Sequence, residues 1–330
     1  MKTFDATRRP LAVQLLVAVP VCTLALVRHF RAPNALETTG MSSMPWAAAI
    51  SEWAAAYPVW NTVCIAACLF FGAVFLTRIM LQYFVIRTRN YVPLTLYIYI
   101  AAFVMPSQTL VGALCGLITT LGCLQAARSF RKGYCFDAVF RCSLLFGLLP
   151  LLYAPMIIVV VTVPVLLSLL RRRWRELVCA MSGLLLPVSA VGYIYWCRGR
   201  SVGNMLWYLW QEAAGYDYSV PLRDIPFSVS AVLFVIAAAV AVSVVVFYNS
   251  RMGMRARPYR IMLFFCAMLV LSSAVFFMGG SNAVSFSVLS PAVAAAVSYL
   301  VSCGRNHLSV AAYYAVAVCI IVSDIVQLAF

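Results

Sequence analysis

The sequence predicts an all-α, polytopic membrane protein, and two properties of the chain carry that prediction. Of its 330 residues, 65% are hydrophobic and only 10% are charged. A soluble domain carries about 25% charged residues and roughly 45–50% apolar ones. The chain has too few polar groups to cover a surface exposed to water, which excludes a water-soluble enzyme. The second property is the uneven distribution of its basic residues.

Eleven apolar segments are candidates for membrane-spanning helices. They cover roughly 11–27, 60–76, 91–105, 110–127, 138–152, 156–170, 177–196, 227–247, 261–278, 285–302 and 308–326. Several are shorter than the ~20 residues that a perpendicular span needs, and 91–105, which contains Pro93, is the weakest. We therefore expect one integral membrane domain over residues 1–330, with about eleven spans and no soluble domain.

The basic residues predict how these spans are oriented. With the N-terminus placed inside, 19 of the 24 lysines and arginines fall on the inner side and five on the outer side. Six of the nine acidic residues fall outside, so the inner face carries +16 and the outer face −1. Cytoplasmic loops are enriched in basic residues, so the pattern predicts an N-in/C-out topology. The positive charge then indicates anionic lipid headgroups at the inner face as partners, and no nucleic acid.

The N-terminal segment resembles a signal peptide without its cleavage site. Arg8 and Arg9 precede the apolar run 11–27, which does not end in a small-x-small sequence, so we expect an uncleaved anchor. No Asn-x-Ser/Thr acceptor for glycosylation occurs in the chain. These features favour the bacterial inner (cytoplasmic) membrane.

The twelve cysteines do not form a framework of disulfides or metal ligands. Nine lie inside apolar segments, the outer loops hold no pair to oxidise, and no C-x-x-C motif occurs. The sequence predicts no metal site and no resident cofactor.

Two outer loops, 28–58 and 197–226, are long enough to form structure. In the first, large side chains recur at the spacing of one helical face, namely Trp46, Ile50, Trp53, Tyr57 and Trp60. Pro45 suits the first turn of a helix. The second loop repeats the aromatic composition around Trp207 and Trp210. We expect two amphipathic helices that lie in the outer membrane interface.

Acidic residues in these two loops are the candidate catalytic groups, and two interpretations stay open. In the first, Glu37 or Glu52 acts as a general base or as a ligand of a divalent cation. The second loop then supplies the substrate contacts, through Trp207, Trp210, Asp217 and Asp224. In the second interpretation, the aromatic side chains form a belt at the membrane interface and the acids between them are solvated.

A series of short motifs runs from about residue 89 to residue 195. In order, they are Asn90-Tyr91-Val92-Pro93-Leu94 with Tyr97, Phe136-Asp137-Ala138, Gly147 with Leu152-Tyr153-Ala154-Pro155, Trp174-Arg175-Glu176, and Gly183-Leu184-Leu185-Leu186-Pro187. This third of the chain resembles a family of polytopic bacterial inner-membrane proteins that is known only as a domain of unknown function. The resemblance implies a helical membrane fold and brings no assigned activity.

The overall plan is loosely similar to that of membrane glycosyltransferases that use lipid-linked sugars. Those enzymes begin inside and carry an acidic residue in a structured first outer loop, where this chain has Glu37 and Glu52. Similarity of architecture does not establish function. Three functions therefore stay open: a non-catalytic envelope assembly or accessory factor with other envelope proteins as partners, a transferase acting on a lipid-linked substrate at the outer face, and a transporter. The lack of a firm catalytic motif favours the first, and whether the chain is an enzyme is left open.

Overall fold

The structure is a computed structural model that describes residues 45–86, 91–104, 109–130, 133–170, 174–199, 201–204, 207, 210–211, 227–250, 254–278, 283–303 and 307–329. Within these ranges the regular secondary structure is entirely helical. The all-helical fold predicted from composition is confirmed for this part of the chain.

The helices follow one another along the described ranges. They are α1 (Pro45–Ala56), α2 (Pro58–Gln82), α3 (Val92–Phe103), α4 (Leu110–Ser129), α5 (Phe136–Leu152), a 3₁₀ turn (Ala154–Met156), α6 (Ile157–Val160), α7 (Thr162–Leu170), α8 (Trp174–Cys197), α9 (Phe227–Ser250), α10 (Ala256–Met278), α11 (Ala283–Cys303) and α12 (His307–Ala329). Six of them, namely α2, α4, α8, α9, α10 and α11, are long and apolar enough to cross a membrane. The chain is a helical membrane protein.

The described part of the chain also contains apolar helices that are shorter than these six. They cover Val92–Ala102, Ala154–Leu167 and Ala311–Ser323. The segment predicted as the weakest span forms α3, which has only 12 residues. Pro93 lies in the first turn of α3, where a missing N–H costs no helical hydrogen bond.

Side-chain contacts identify one end of the helix bundle. The guanidinium of Arg257, at the start of α10, lies 4.3 Å from the ring centroid of Tyr83, just beyond α2. The same guanidinium donates to the carbonyl of Ala127, near the end of α4, at 3.5 Å. Phe247, near the end of α9, packs edge-on against Tyr299, near the end of α11. We call this the basic end, because it gathers the described arginines Arg78, Arg128, Arg141, Arg175, Arg255, Arg257 and Arg260.

Other contacts identify the opposite end. Gly112, at the start of α4, lies against Ser287 at the start of α11. Phe276, near the end of α10, packs edge-on against Phe286 of α11. Helix α1 contacts α2, α4 and α5, and Arg198 follows the last turn of α8 at this end. The long helices therefore run between two ends that differ in charge.

Helix α11 is the centre of the bundle. All of its residues from Ala283 to Val301 are buried, and it contacts α2, α3, α4, α9, α10 and α12. Its alanines and serines let neighbouring backbones approach closely. Three of its serine hydroxyls donate to carbonyls of the same helix, from Ser287 to Ala283, from Ser290 to Ser287 and from Ser298 to Ala294. These polar groups are therefore satisfied without water.

Helices α5 and α8 pack side by side and run in the same direction. The Sγ of Cys179 lies 3.5 Å from the carbonyl oxygen of Phe136 near their starts, and Leu151 packs with Val191 near their ends. The residues between them, 154–170, lead back from one end of the bundle to the other. This return segment is interrupted by a turn at Val161, three residues before Pro164, whose ring cannot donate a helical hydrogen bond.

Two glycines set the distance between α5 and α8. A Cβ added to Gly147 would lie 2.8 Å from the carbonyl oxygen of Leu184, and one added to Gly183 would lie 2.8 Å from that of Phe140. Both neighbours are backbone atoms that cannot rotate away. The two backbones can reach this separation only because neither glycine carries a side chain.

We expect Gly147→Ala and Gly183→Ala each to lower the free energy of unfolding by about 1–3 kcal/mol, because the added methyl group overpacks the contact. Thermal unfolding of the purified protein in detergent measures the effect. The control is Gly203→Ala, where the added Cβ meets no atom within 4 Å. Equal melting temperatures for all three variants would show that α5 and α8 do not pack in this way.

Candidate functional site

Helix α1 is fixed to the opposite end of the bundle by its small residues. Ala47 and Ala54 are buried, and Ile50 is half-buried against the main hydrophobic core. Alanine side chains allow the axis of α1 to approach α2, α4 and α5 closely. The helix predicted in the first outer loop therefore exists, and Pro45 occupies its first position as expected.

The aromatic side chains predicted to share one face of this helix are exposed, whereas Ile50, predicted on the same face, is half-buried against the core. Trp46, Trp53, Tyr57 and Trp60 are between 40% and 61% exposed. A bend at Tyr57 separates α1 from α2, because a residue before proline is driven out of the α-helical region, here to φ −131° and ψ 71°. The four side chains, which we call the aromatic stripe, therefore form an uncovered surface at the rim of the bundle.

Glu52 also lies on α1 and is exposed. At 100° per residue it lies about 150° around the helix axis from the buried alanines, so its carboxylate faces away from the bundle. Trp207 and Trp210, from the second loop, lie in helical backbone and are exposed as well. Glu37, Asp217 and Asp224 lie outside the described residues. The described half of the predicted site thus consists of exposed side chains, and its assembly into one site stays a prediction.

A buried cluster of hydroxyl groups lies at the centre of the bundle. The hydroxyl of Tyr97, on α3, hydrogen-bonds to the side chains of Thr120 on α4 and Ser290 on α11. Thr120 and Ser290 donate their own protons to the carbonyls of Gly116 and Ser287. Their oxygens are therefore left as acceptors for the tyrosine proton. The cluster ties α3 to α4 and α11.

Two glycines make room for this tyrosine. A Cβ added to Gly72 of α2 would lie 2.7 Å from the Tyr97 hydroxyl oxygen, and one added to Gly116 of α4 would lie 3.3 Å from it. Sequence patterns did not predict the cluster, since a tyrosine within an apolar segment reads as an ordinary core residue. Its three hydroxyls carry no charge, and hydroxyl contacts between membrane helices serve mainly their association.

A buried carboxylate lies at the basic end, where α5 and α8 begin. Glu176, in the first turn of α8, is fully buried, and its Oε1 accepts a hydrogen bond of 3.2 Å from the backbone N–H of Cys135, the N-cap residue of α5. Because the two helices are parallel, this carboxylate lies beside two helix N-termini, whose dipoles favour negative charge. Nearby, the exposed Asp137 pairs with Arg141 at 2.8 Å. Glu176 therefore holds the parallel pair in register.

Substituting Tyr97→Phe should lower the free energy of unfolding by about 1 kcal/mol, because it removes one buried hydrogen bond and preserves the shape of the ring. Tyr193→Phe is the matched control, since Tyr193 is exposed on α8. The measurement is the denaturant midpoint of each variant in the same detergent. If both variants unfold at the same midpoint as the parent chain, the Tyr97 hydroxyl does not contribute to holding the helices together.

The resemblance of residues 89–195 to an uncharacterised inner-membrane family draws on residues that the structure uses for helix contacts, among them Tyr97, Gly147, Glu176 and Gly183. The similarity to membrane glycosyltransferases draws on the outer loops. Both stay predictions, because no protein-family model, curated protein sequence or solved structure matches the chain.

Proposed function

We propose that this chain is a multi-pass protein of the bacterial inner membrane and acts as a non-catalytic assembly or accessory factor of the envelope. The observation that carries the proposal is the docking of α1, whose alanine face packs against the bundle and whose aromatic stripe is left exposed. Tryptophan and tyrosine combine an apolar body with a polar tip, which suits both the headgroup layer and protein interfaces. The aromatic stripe then forms a fixed contact surface for a neighbouring envelope protein.

The proposal includes a topology with eleven spans, the N-terminus inside and the C-terminus outside. The described helices supply the later spans, and segment 11–27, which lies outside the described residues, supplies the first. Two observations support this arrangement. The parallel direction of α5 and α8 favours a crossing by residues 154–170 between them, and the described arginines collect at one end. We propose that this end faces the cytoplasm, because cytoplasmic loops carry an excess of basic residues.

A reporter fused after Phe330 tests the topology. The proposed C-out orientation predicts that alkaline phosphatase is active at this position and that green fluorescent protein is dark. Fusions after Arg255, at the basic end, are expected to give the reverse result and serve as the internal control. A fluorescent fusion after Phe330 would place the C-terminus in the cytoplasm and overturn the topology.

A second proposal is a transferase that acts on a lipid-linked substrate at the outer face. The specific observation in its favour is Glu52, an exposed carboxylate on a helix that is fixed at the opposite end of the bundle, next to the aromatic stripe. In this proposal Glu37 or Glu52 acts as general base or holds a divalent cation, and Trp207, Trp210, Asp217 and Asp224 contact the substrate. Carboxylate oxygens suit both roles.

Paired variants of α1 distinguish the two proposals. For an accessory factor, the double variant Trp46→Ser/Trp53→Ser should lower the fraction of the chain that migrates above monomer mass on native gels of solubilised membranes by about tenfold, because buried tryptophans dominate interfaces. Glu52→Gln, alone or with Glu37→Gln, should leave that fraction unchanged, as should the control Ala49→Ser on the same helix. For a transferase, Glu52→Gln or Glu37→Gln instead abolishes sugar transfer from lipid-linked donors in membrane vesicles. That outcome, with assembly intact in the tryptophan variant, would contradict the accessory-factor proposal.

A further inference from the structure

Two buried hydrogen-bond donors meet at the basic end without an acceptor among the described residues. The side chain of Tyr83, just after α2, is only 4% exposed, and its buried hydroxyl has no hydrogen-bond partner. Arg257 stacks on the same ring, and its Nε is likewise buried and without a partner. Its remaining contact is the 3.5 Å hydrogen bond to Ala127, which fixes the guanidinium between the ends of α2 and α4.

Such a pair of donors calls for a negatively charged acceptor. A buried donor without a partner destabilises the folded protein, and a charged donor does so more strongly. The hydroxyl and the guanidinium belong to a single stacked pair, so one small group with several acceptor oxygens can reach both. Arginine is suited to phosphate in particular, because its planar fork of N–H donors matches phosphate oxygens.

The backbone beside this pair is strained. Phe84 has φ 55°, the single positive φ among the described non-glycine residues, and a left-handed conformation is unfavourable for an L-residue. The turn brings the N–H groups of Val85 and Ile86 to the carbonyl of Met80 and leaves the Phe84 ring 70% exposed. Backbone strain is concentrated at binding and switch sites. The exposed ring is an apolar surface on the residue that follows Tyr83.

We propose that Tyr83 and Arg257 form a binding site for a phosphate group at the basic end of the bundle. The hydroxyl of Tyr83 and the Nε–H of Arg257 each donate to phosphate oxygens, and the fixed charge of Arg257 neutralises the anion. The source of the phosphate is an anionic phospholipid, whose acyl chains would lie against Phe84, or a free phosphate. The site is independent of the function proposed for α1 at the other end.

Binding to the purified protein in a neutral detergent tests the proposal with three probes. Phosphatidylglycerol supplies phosphate with acyl chains, diacylglycerol supplies the same chains without phosphate, and inorganic phosphate supplies the anion alone. Native mass spectrometry measures bound lipid, and the melting temperature measures stabilisation by each probe. We expect phosphatidylglycerol to bind at least tenfold more tightly than diacylglycerol. Equal stabilisation by inorganic phosphate would identify free phosphate as sufficient, and stabilisation by phosphatidylglycerol alone would identify the headgroup of a lipid.

Variants locate the site. Arg257→Gln should weaken phosphate-dependent binding by tenfold or more and Tyr83→Phe by about fivefold, in line with the loss of a charged and a neutral hydrogen bond. Arg260→Gln removes the same charge from an exposed position at the same end and should have no effect, as should Tyr193→Phe. The proposal is overturned if the wild-type chain binds phosphatidylglycerol and diacylglycerol equally and inorganic phosphate does not stabilise it. It is also overturned if Arg260→Gln weakens binding as much as Arg257→Gln. The wild-type comparison decides the first point even if Arg257→Gln fails to fold.

Discussion

The structure depends on the requirement that polar groups inside a helical membrane protein be satisfied without water. Helix α11 shows this requirement most clearly, because it is buried along its length and yet rich in serine. Three of its hydroxyls, on Ser287, Ser290 and Ser298, donate to carbonyls of their own helix, so these small residues need no partner from a neighbouring helix. Six helices pack against α11. Where a longer polar side chain enters, as at Tyr97, glycines on neighbouring helices clear the space and hydroxyl oxygens accept its proton.

The hydrogen-bonded hydroxyls at the centre of the bundle contrast with side chains at its two ends that are exposed or lack a hydrogen-bond partner. At one end, α1 is packed by alanines, and its aromatic rings and Glu52 face outward. At the other end, two charged side chains, Glu176 and Arg257, lie against the bundle. The Oε1 of Glu176 accepts a hydrogen bond from the N-cap residue of α5, and Arg257 donates one to the carbonyl of Ala127 while its Nε has no acceptor in the described part. The difference between the two ends is the physical basis for proposing contact with proteins at one and with phosphate at the other.

Hydropathy and spacing predicted the local features well and the long-range contacts poorly. Composition predicted an all-helical membrane protein, and the recurrence of Trp46, Trp53 and Tyr57 predicted both the existence of α1 and the side that its rings share. These are properties of neighbouring residues. The parallel pairing of α5 with α8, the space that Gly72 leaves for Tyr97 and the stacking of Arg257 on Tyr83 join residues far apart in the chain, and no local pattern encodes them. Of the six predicted site residues, Glu52, Trp207 and Trp210 are described, and all three are exposed. Whether they form one site could not be predicted, because a sequence pattern that locates a residue on a surface does not say which other residue it contacts.

The parallel arrangement of α5 and α8 also bears on how the protein is assembled. Adjacent antiparallel helices can associate as a hairpin as soon as the second one is made, but α5 cannot pair with α8 until the return segment 154–170 and then α8 itself have been synthesised. During that interval the Gly147 face of α5 has no helix against it. Because the chain is synthesised from its N-terminus, this face of α5 is covered only after α8 has been made. The close helix contact around Gly147 and Gly183 is thus one of the later contacts to form, and the length of the return segment sets the delay.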